Sequence, residues 1–438
     1  MIETQALTFI CTNDFSGHTR GKAVPSDTLD GWWRRGVGWT PTNTMINPFG
    51  RIIATPWGSR GDLKIIPDAT AELRLSGEEG RPGEHLILGD VQEMDGSAWS
   101  SCLRSQLRDA LVELRQETGL TLRASMEHEF HYTGGPDRWG DSYHVDAFRG
   151  IEGFLGEVIG HLRANGIAPE MVLPEFGPRQ LELTVAPKTG LRVADEAVML
   201  REVVRATARR HGQRASFSPI VTRGIVGNGL HIHFSFERDD GSPVTYDASR
   251  PDCLSETAGR FVAGILRHSR ALCAFTAPSV ISYQRFAPNA WSAWVSNLGF
   301  RDRESLIRIC PVPDEPDTDP SRSFNLEFRA ADATGSPYLQ LAALVRAGLL
   351  GIREELDIPP ATRSDPGAFS AEECDRHGIQ PLPSSLEDAL RELERDQALA
   401  GTFPGEMIEA YIIHKRGEMS FLHGRDIDEI CGMYADVY

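Results

Sequence analysis

None of the seven cysteines (Cys11, Cys102, Cys253, Cys273, Cys310, Cys374, Cys431) stands in a C-x-x-C pair, so neither a disulfide framework nor a cysteine zinc site is indicated. No apolar run is long enough to span a bilayer. Residues Met1, Ile2, Glu3 and Thr4 lack the basic and apolar regions of a signal peptide, which makes a cytoplasmic location the expectation. Basic residues are in deficit: 45 Lys and Arg against 62 Asp and Glu leave a net charge of −17, with no Lys/Arg run. Such a chain repels a phosphate backbone, which argues against nucleic acid as a partner. The sequence holds no G-x-x-x-x-G-K-S/T loop, which excludes a P-loop enzyme as far as a motif can. It has no internal repeats either.

What is present describes an ordinary globular protein, 40% hydrophobic and 24% charged. A length of 438 residues favours two domains. Up to about residue 95 the pattern is of short strands and turns, with β-rich stretches at 7–11 and 44–46 and turn signals at 16–17 and 47–50. Helical spacing of Leu103, Leu107, Leu111 and Leu114 follows, so the boundary falls just before it, dividing 1–97 from 98–438. Beyond it strands are expected at 122–132, 181–185, 230–236 and 326–329. Helices are expected at 151–165, 193–211, 339–356 and 386–399, the last with a capping box from Ser384 to Glu387. Residues 311–320 form a Pro/Asp-rich loop.

Five segments carry polar residues where strands are usually apolar. Glu127 and Glu129 lie two apart, on one strand face. Glu175 precedes a strand on which Glu182 stands between Leu181 and Leu183. His231, His233 and Ser235 alternate with Leu230, Ile232 and Phe234, after the Gly227-Asn228-Gly229 turn. Arg285, Arg303 and Arg308 come next, and Glu327 and Arg329 close the series opposite Leu326 and Phe328. Taken singly, each has a bland alternative: a solvated strand face, two surface histidines, or an internal Glu–Arg ion pair. Together they make the inventory of two oxygen-rich divalent metal sites and a cradle for several negative charges, as phosphoryl transfer requires.

In order and spacing these segments resemble the glutamine synthetase family. The resemblance runs from Gly17-His18-Thr19-Arg20-Gly21-Lys22 to the stretch 410–418, and is most specific at 227–235, at 326–329 and at Ser336-Pro337-Tyr338-Leu339. It implies an α+β protein, an N-terminal β-grasp domain followed by a catalytic α/β domain, assembled as a homo-oligomeric ring, commonly a dodecamer. It further implies ATP and two or more Mg²⁺ or Mn²⁺ ions per site. By the family's motifs, Glu129, Glu175 and Glu182 would hold one metal and Glu127, His231 and Glu327 the other. His233 and Ser235 would contact ATP, and Arg303 and Arg308 the phosphates. Arg285 and Arg329, with Gly227, would hold the acid substrate. The implied chemistry is an acyl phosphate displaced by an amine.

Three positions depart from the family pattern. Ammonia-using members carry an acid in an N-terminal loop that reaches into the neighbouring subunit's site, whose counterpart here, 35–39, has none; they carry another on a flap where this chain has Trp291. Losing both removes the electrostatic reason to bind a small cation and offers aromatic surface instead. The expectation is therefore an organic amine (alkyl, poly- or aromatic) received at Trp291 and Trp39, with Trp32 and Trp33 as near candidates. Val226 stands where the family usually has asparagine, which leaves glutamate as the expected acid without fixing it. The competing readings are an ammonia-using glutamine synthetase, an inactive structural member, and a metal-dependent hydrolase built on the H-x-H pair.

Overall fold

The computed structural model describes residues 5–77, 82–138, 140–313, 315 and 317–438. Residues 1–4, on which the signal-peptide argument rested, and two positions of the 311–320 loop lie outside the described residues.

Alternation of apolar side chains builds the first sheet. Along Leu63–Leu75 the side chains of Leu63, Ile65, Ala71, Leu73 and Leu75 are buried, the period of a strand with one covered face. The five strands run in the order Thr19–Pro25, Leu7–Asn13, Glu84–Glu93, Leu63–Leu75, Val37–Trp39. Leu7–Asn13 and Glu84–Glu93 are parallel and the other neighbours antiparallel. Residues 44–46, expected to be extended, instead close a 3₁₀ helix, Pro41–Met45. Pro41 presets its first turn, and Thr44 and Met45 are apolar or β-branched because they are buried, not because they pair in a sheet.

The second sheet has nine strands. Its main path runs Leu298–Phe300, Ile307–Ile309, Leu326–Phe328, Leu230–Glu237, Thr121–Tyr132, Gln180–Val185, Pro169–Pro174. The first two are parallel, the rest antiparallel. One face carries Met126, Phe130, Leu181, Leu183, Ile232, Phe234, Leu326 and Phe328 into the main core. Helices Arg192–Arg210, Glu256–Arg267 and Pro337–Arg353 contribute Leu200, Phe261 and Leu344 to the same core. The last two helices touch backbone to backbone: a Cβ on Gly264 would sit 2.2 Å from the Ala347 carbonyl oxygen.

Several boundaries move for visible reasons. Pro337, at the first helical position, starts its helix two residues before the expected 339. The helix expected at 386–399 breaks at Asp396 into Leu386–Arg395 and Gln397–Ala400. Its cap is Ser385, which accepts from the Asp388 amide at 3.1 Å; Ser384 donates to the Asp388 carboxylate, and the capping box with Glu387 is not formed. Among the described residues no helix is long and apolar enough to cross a membrane.

Candidate active site

Directly opposed residues on antiparallel strands share a face, so register decides which polar side chains meet. Glu129 lies opposite Glu182, Glu127 opposite His231, His233 opposite Glu327, and Glu327 opposite Arg308. One polar row thus crosses five strands on the face away from the main core. His128, between the two glutamates, points the other way; burial pushes its imidazole down to about 3, which leaves it neutral.

At one end of the row two imidazoles flank two carboxylates. His231 Nδ1 lies 2.7 Å from Glu127 Oε1 and 3.7 Å from Glu327 Oε1. His233 Nε2 lies 3.5 Å from Glu127 Oε2 and 3.8 Å from Glu327 Oε1. The ligand atoms of Glu127, His233 and Glu327 all fall within 4.8 Å of one another. The structure therefore assembles the expected carboxylate pair, but with His233 completing the converging trio and His231 beside it. Arg308 Nη1 donates to Glu327 Oε2 at 2.9 Å, and Arg329 pairs with Glu327 Oε1. The internal Glu–Arg pair is real, and it belongs to the same cluster. Burial pushes the Glu327 carboxyl up, but Arg329 and the two imidazoles outweigh it and hold the group down at about 2. Burial also opposes ionisation of Glu127, and hydrogen bonds from His231 and His233 reverse that.

At the other end the carboxylates crowd. Glu129 Oε2 accepts from the Gly229 amide at 2.7 Å and from Gln180 Nε2 at 3.1 Å. Glu175 Oε2 accepts from the Tyr143 hydroxyl at 2.8 Å. Burial, and then the charges of Glu127, Glu129 and Glu175, push Glu182 up to about 10. Burial and Glu129 push Glu175 up as well. Hard oxygen donors whose charges repel one another are the donor set a divalent cation relieves, so these residues fit Mg²⁺ or Mn²⁺. Among the described residues, Glu129, Glu175 and Glu182 do not close to the spacing of the first trio.

Glu127, Glu129, Glu175, Glu182 and His231 open onto a cavity of about 720 Å³, which Gly227, Arg285, Trp291, Arg303 and Arg329 also line. The glycines are needed for close approach. A Cβ on Gly229 would lie 2.8 Å from Arg285 Nη2 and 2.9 Å from His231 Nε2, and one on Gly227 would lie 2.8 Å from Arg285 Cγ. Arg285 is buried and donates to the Ala331 carbonyl at 2.9 Å; burial lowers its pKa. Arg329 Nε donates to the Arg303 carbonyl at 2.7 Å and Nη2 to the Trp291 carbonyl at 3.1 Å, which ties the arginines to the tryptophan loop. His233 and Arg308 join the site through Glu127 and Glu327, and Ser235 follows on the same strand face, opposite Arg123.

Trp39 is closed off within its own chain, 5% exposed. Its side chain is buried in the core of the first sheet with Ile10, Val37, Leu63 and Ile65, and Trp32 packs against that cluster. The acceptor assignment for Trp39 is corrected accordingly, since alternation on a covered strand accounts for it. Sequence reasoning also missed Tyr143, Ile220, Arg223, Ile427 and Cys431, all of which line the cavity. The helical spacing of Ile427, Ile430, Cys431 and Tyr434 marks one apolar face without saying what it meets.

A family profile described as "Glutamine synthetase, catalytic domain" matches residues 100–428, and one described as "Glutamine synthetase N-terminal domain" matches residues 2–99. The gamma-glutamylpolyamine synthetase of Streptomyces coelicolor is 30% identical over 437 residues, covering 96% of this chain and 91% of the relative. The glutamine synthetase of Thermococcus kodakarensis is 31% identical over 429 residues, covering 94% and 90%. A solved structure described as a novel glutamine synthase homolog superposes with a TM-score of 0.92 at 39% identity, covering 100% of both chains.

Proposed function

The chain belongs to the glutamine synthetase family and is an ATP-dependent C–N ligase, and from that premise we propose that it joins the γ-carboxylate of glutamate to an organic amine. The observation that carries this reading is Trp291: 66% exposed, it stands on the cavity beside Arg303 and Arg329, where a carboxylate would otherwise draw ammonium. Glu127, His231, His233 and Glu327, with Glu129, Glu175 and Glu182, would hold two or more Mg²⁺ or Mn²⁺ ions. Bound there, such ions would supply positive charge to offset that of the nucleotide phosphates.

The chain's own residues do the positioning. Arg285 and Arg329, with the Gly227 backbone, hold the acid, while His233 and Ser235 meet the nucleotide and Arg303 and Arg308 its phosphates. The γ-carboxylate attacks the γ-phosphorus and ADP leaves, giving an acyl phosphate. The amine nitrogen then attacks the acyl carbon and inorganic phosphate leaves, so one ATP is consumed per amide formed. The arginines neutralise the charge that builds on the transferring group. We place the reaction in a ring-shaped homo-oligomer, a dodecamer, which native mass measurement would weigh.

Glutamine synthesis from ammonia is the second reading, favoured by relatives such as that of Thermococcus kodakarensis. ADP release with ATP, Mg²⁺ and L-glutamate separates the two. The proposal expects turnover with organic amines and little with ammonia; turnover with ammonia alone would overturn it.

A further inference from the structure

Gln180 opens the strand Gln180–Val185 two residues before Glu182, so the strand period puts both on one face. It lines the cavity yet is only 3% exposed, and a buried amide must find partners for its N–H groups and its carbonyl. Nε2 donates to Glu129 Oε2 at 3.1 Å, to the Gly227 carbonyl at 2.9 Å and to Asn228 Oδ1 at 3.2 Å. Oε1 accepts from the Gly177 amide at 2.8 Å. These partners fix which way the amide faces: turned over, its oxygen would meet a carboxylate and two amide oxygens.

The backbone of Gln180 is engaged as well. Its amide donates to the Gly177 carbonyl at 3.1 Å, and its carbonyl accepts from the Glu175 amide at 2.8 Å. Two loops therefore hang on one residue. One is 175–177, which presents Glu175; the other is 227–229, which presents Gly227 and whose Gly229 amide also meets Glu129. Asn228 carries the link on, donating to the Ser218 carbonyl at 2.8 Å.

The same contacts decide which oxygen of each carboxylate is occupied. Glu129 Oε2 takes the Gln180 and Gly229 donors, and Glu175 Oε2 takes the Tyr143 hydroxyl and, at 2.9 Å, the Phe176 amide. Among the described residues no donor reaches Oε1 of either, which leaves one oxygen of each open to a cation. A neutral donor suits this position. A carboxylate here would add a fifth acid to Glu127, Glu129, Glu175 and Glu182, and a lysine would compete with the metal.

We infer that Gln180 is a positioning residue, whose amide fixes Glu129, and with it the metal at Glu129, Glu175 and Glu182, to the Gly227 turn that holds the acid. That metal and the acid then depend on one hydrogen-bonded unit, distinct from the trio of Glu127, His233 and Glu327. The inference rests on the metal and acid assignments proposed above and adds a residue to them.

Gln180→Met keeps much of the side-chain volume and removes both donors. Mn²⁺ binding to the full chain, followed by loss of the free-ion signal in electron paramagnetic resonance, should show two classes of site in the parent. In Gln180→Met one class should weaken about 10- to 100-fold, as when a group that orients a metal ligand is lost, and the other should hold. The KM for L-glutamate should rise with it, and the KM for ATP should not. Gly177→Ala reaches the same amide from outside the ligand set, since its Cβ would stand 2.7 Å from Gln180 Oε1, and should give the same pattern at smaller size. Both classes weakening together, or a KM for ATP that rises as much as that for L-glutamate, would make Gln180 merely structural and overturn the inference. So would Mn²⁺ binding and a KM for L-glutamate unchanged in both variants. A parent that binds Mn²⁺ in a single class, or that takes no L-glutamate, would remove the site reading underneath instead.

Discussion

Glu182 holds a proton at neutral pH because three neighbouring carboxylates and its own burial oppose its charge, with a pKa of about 10. A cation bound there must displace that proton, so metal binding and deprotonation are one equilibrium. Since the carboxyl is protonated below about 10, apparent affinity should rise with pH from 6 towards 9 and fall on acidification. Calorimetric titration of Mn²⁺ in two buffers of different ionisation enthalpy measures the protons released; affinity independent of pH, with none released, would contradict this account. Glu182→Gln removes the displaced proton and should flatten the pH dependence. This residue was legible in the sequence as a glutamate between Leu181 and Leu183, but its proton was not. The shift needs Glu127 and Glu129 on the strand to one side and Glu175 at the end of the strand on the other, and only folding puts them together.

Strand period explains what could be read at the level of elements. The alternation of polar and apolar residues over 230–236 and 326–329 placed their side chains correctly, because one face of each strand packs on the core. The same period gives no information about which strands neighbour each other, so the trio of Glu127, His233 and Glu327 was beyond it. Nor did tryptophan content distinguish an acceptor residue from a core residue. Trp39 and Trp291 were equal candidates, and only the first is buried. Their roles separate in a paired test. Trp39→Ala should cost about 3–5 kcal/mol of stability, as for a large aromatic removed from a core. Trp291→Ala should leave the melting temperature nearly unchanged and raise the KM for the amine. If Trp39→Ala folds as well as the parent and alters only the amine KM, Trp39 is an acceptor residue after all. Elements with competing signals were misread for local reasons, as at 44–46, where Pro41 begins a 3₁₀ turn.

Across the whole molecule the two sheets are joined by the main core, to which part of the first sheet contributes while Ile10, Val37 and Trp39 form a smaller cluster of their own. Cys11, Phe15, Leu73 and Leu88 of the N-terminal part pack in the same cluster as Leu107, Val204 and Tyr338 of the catalytic part. Arg104 fastens this junction. It donates to Asp68 at 2.8 Å and Asp90 at 3.0 Å on the first sheet, and to Asp195 at 3.0 Å on the helix Arg192–Arg210. Its side chain is 2% exposed, and Tyr338 also donates to Asp195, at 2.5 Å. Burial opposes the charge of Arg104, but the Asp195 hydrogen bonds and charge outweigh it and raise its pKa further. Arg104→Met keeps much of the side-chain volume and strands Asp195 without its cation. Removing one partner of a buried ion pair costs about 3–5 kcal/mol, more than the pair itself contributes over an apolar replacement. Because the main core spans both parts, that loss should lower a single cooperative melting transition in scanning calorimetry. A variant in which the N-terminal sheet melts separately, with the catalytic part unaffected, would show that the junction does not couple them. Asp195→Leu alongside Arg104→Met should recover part of the loss, since the second change removes the stranded charge.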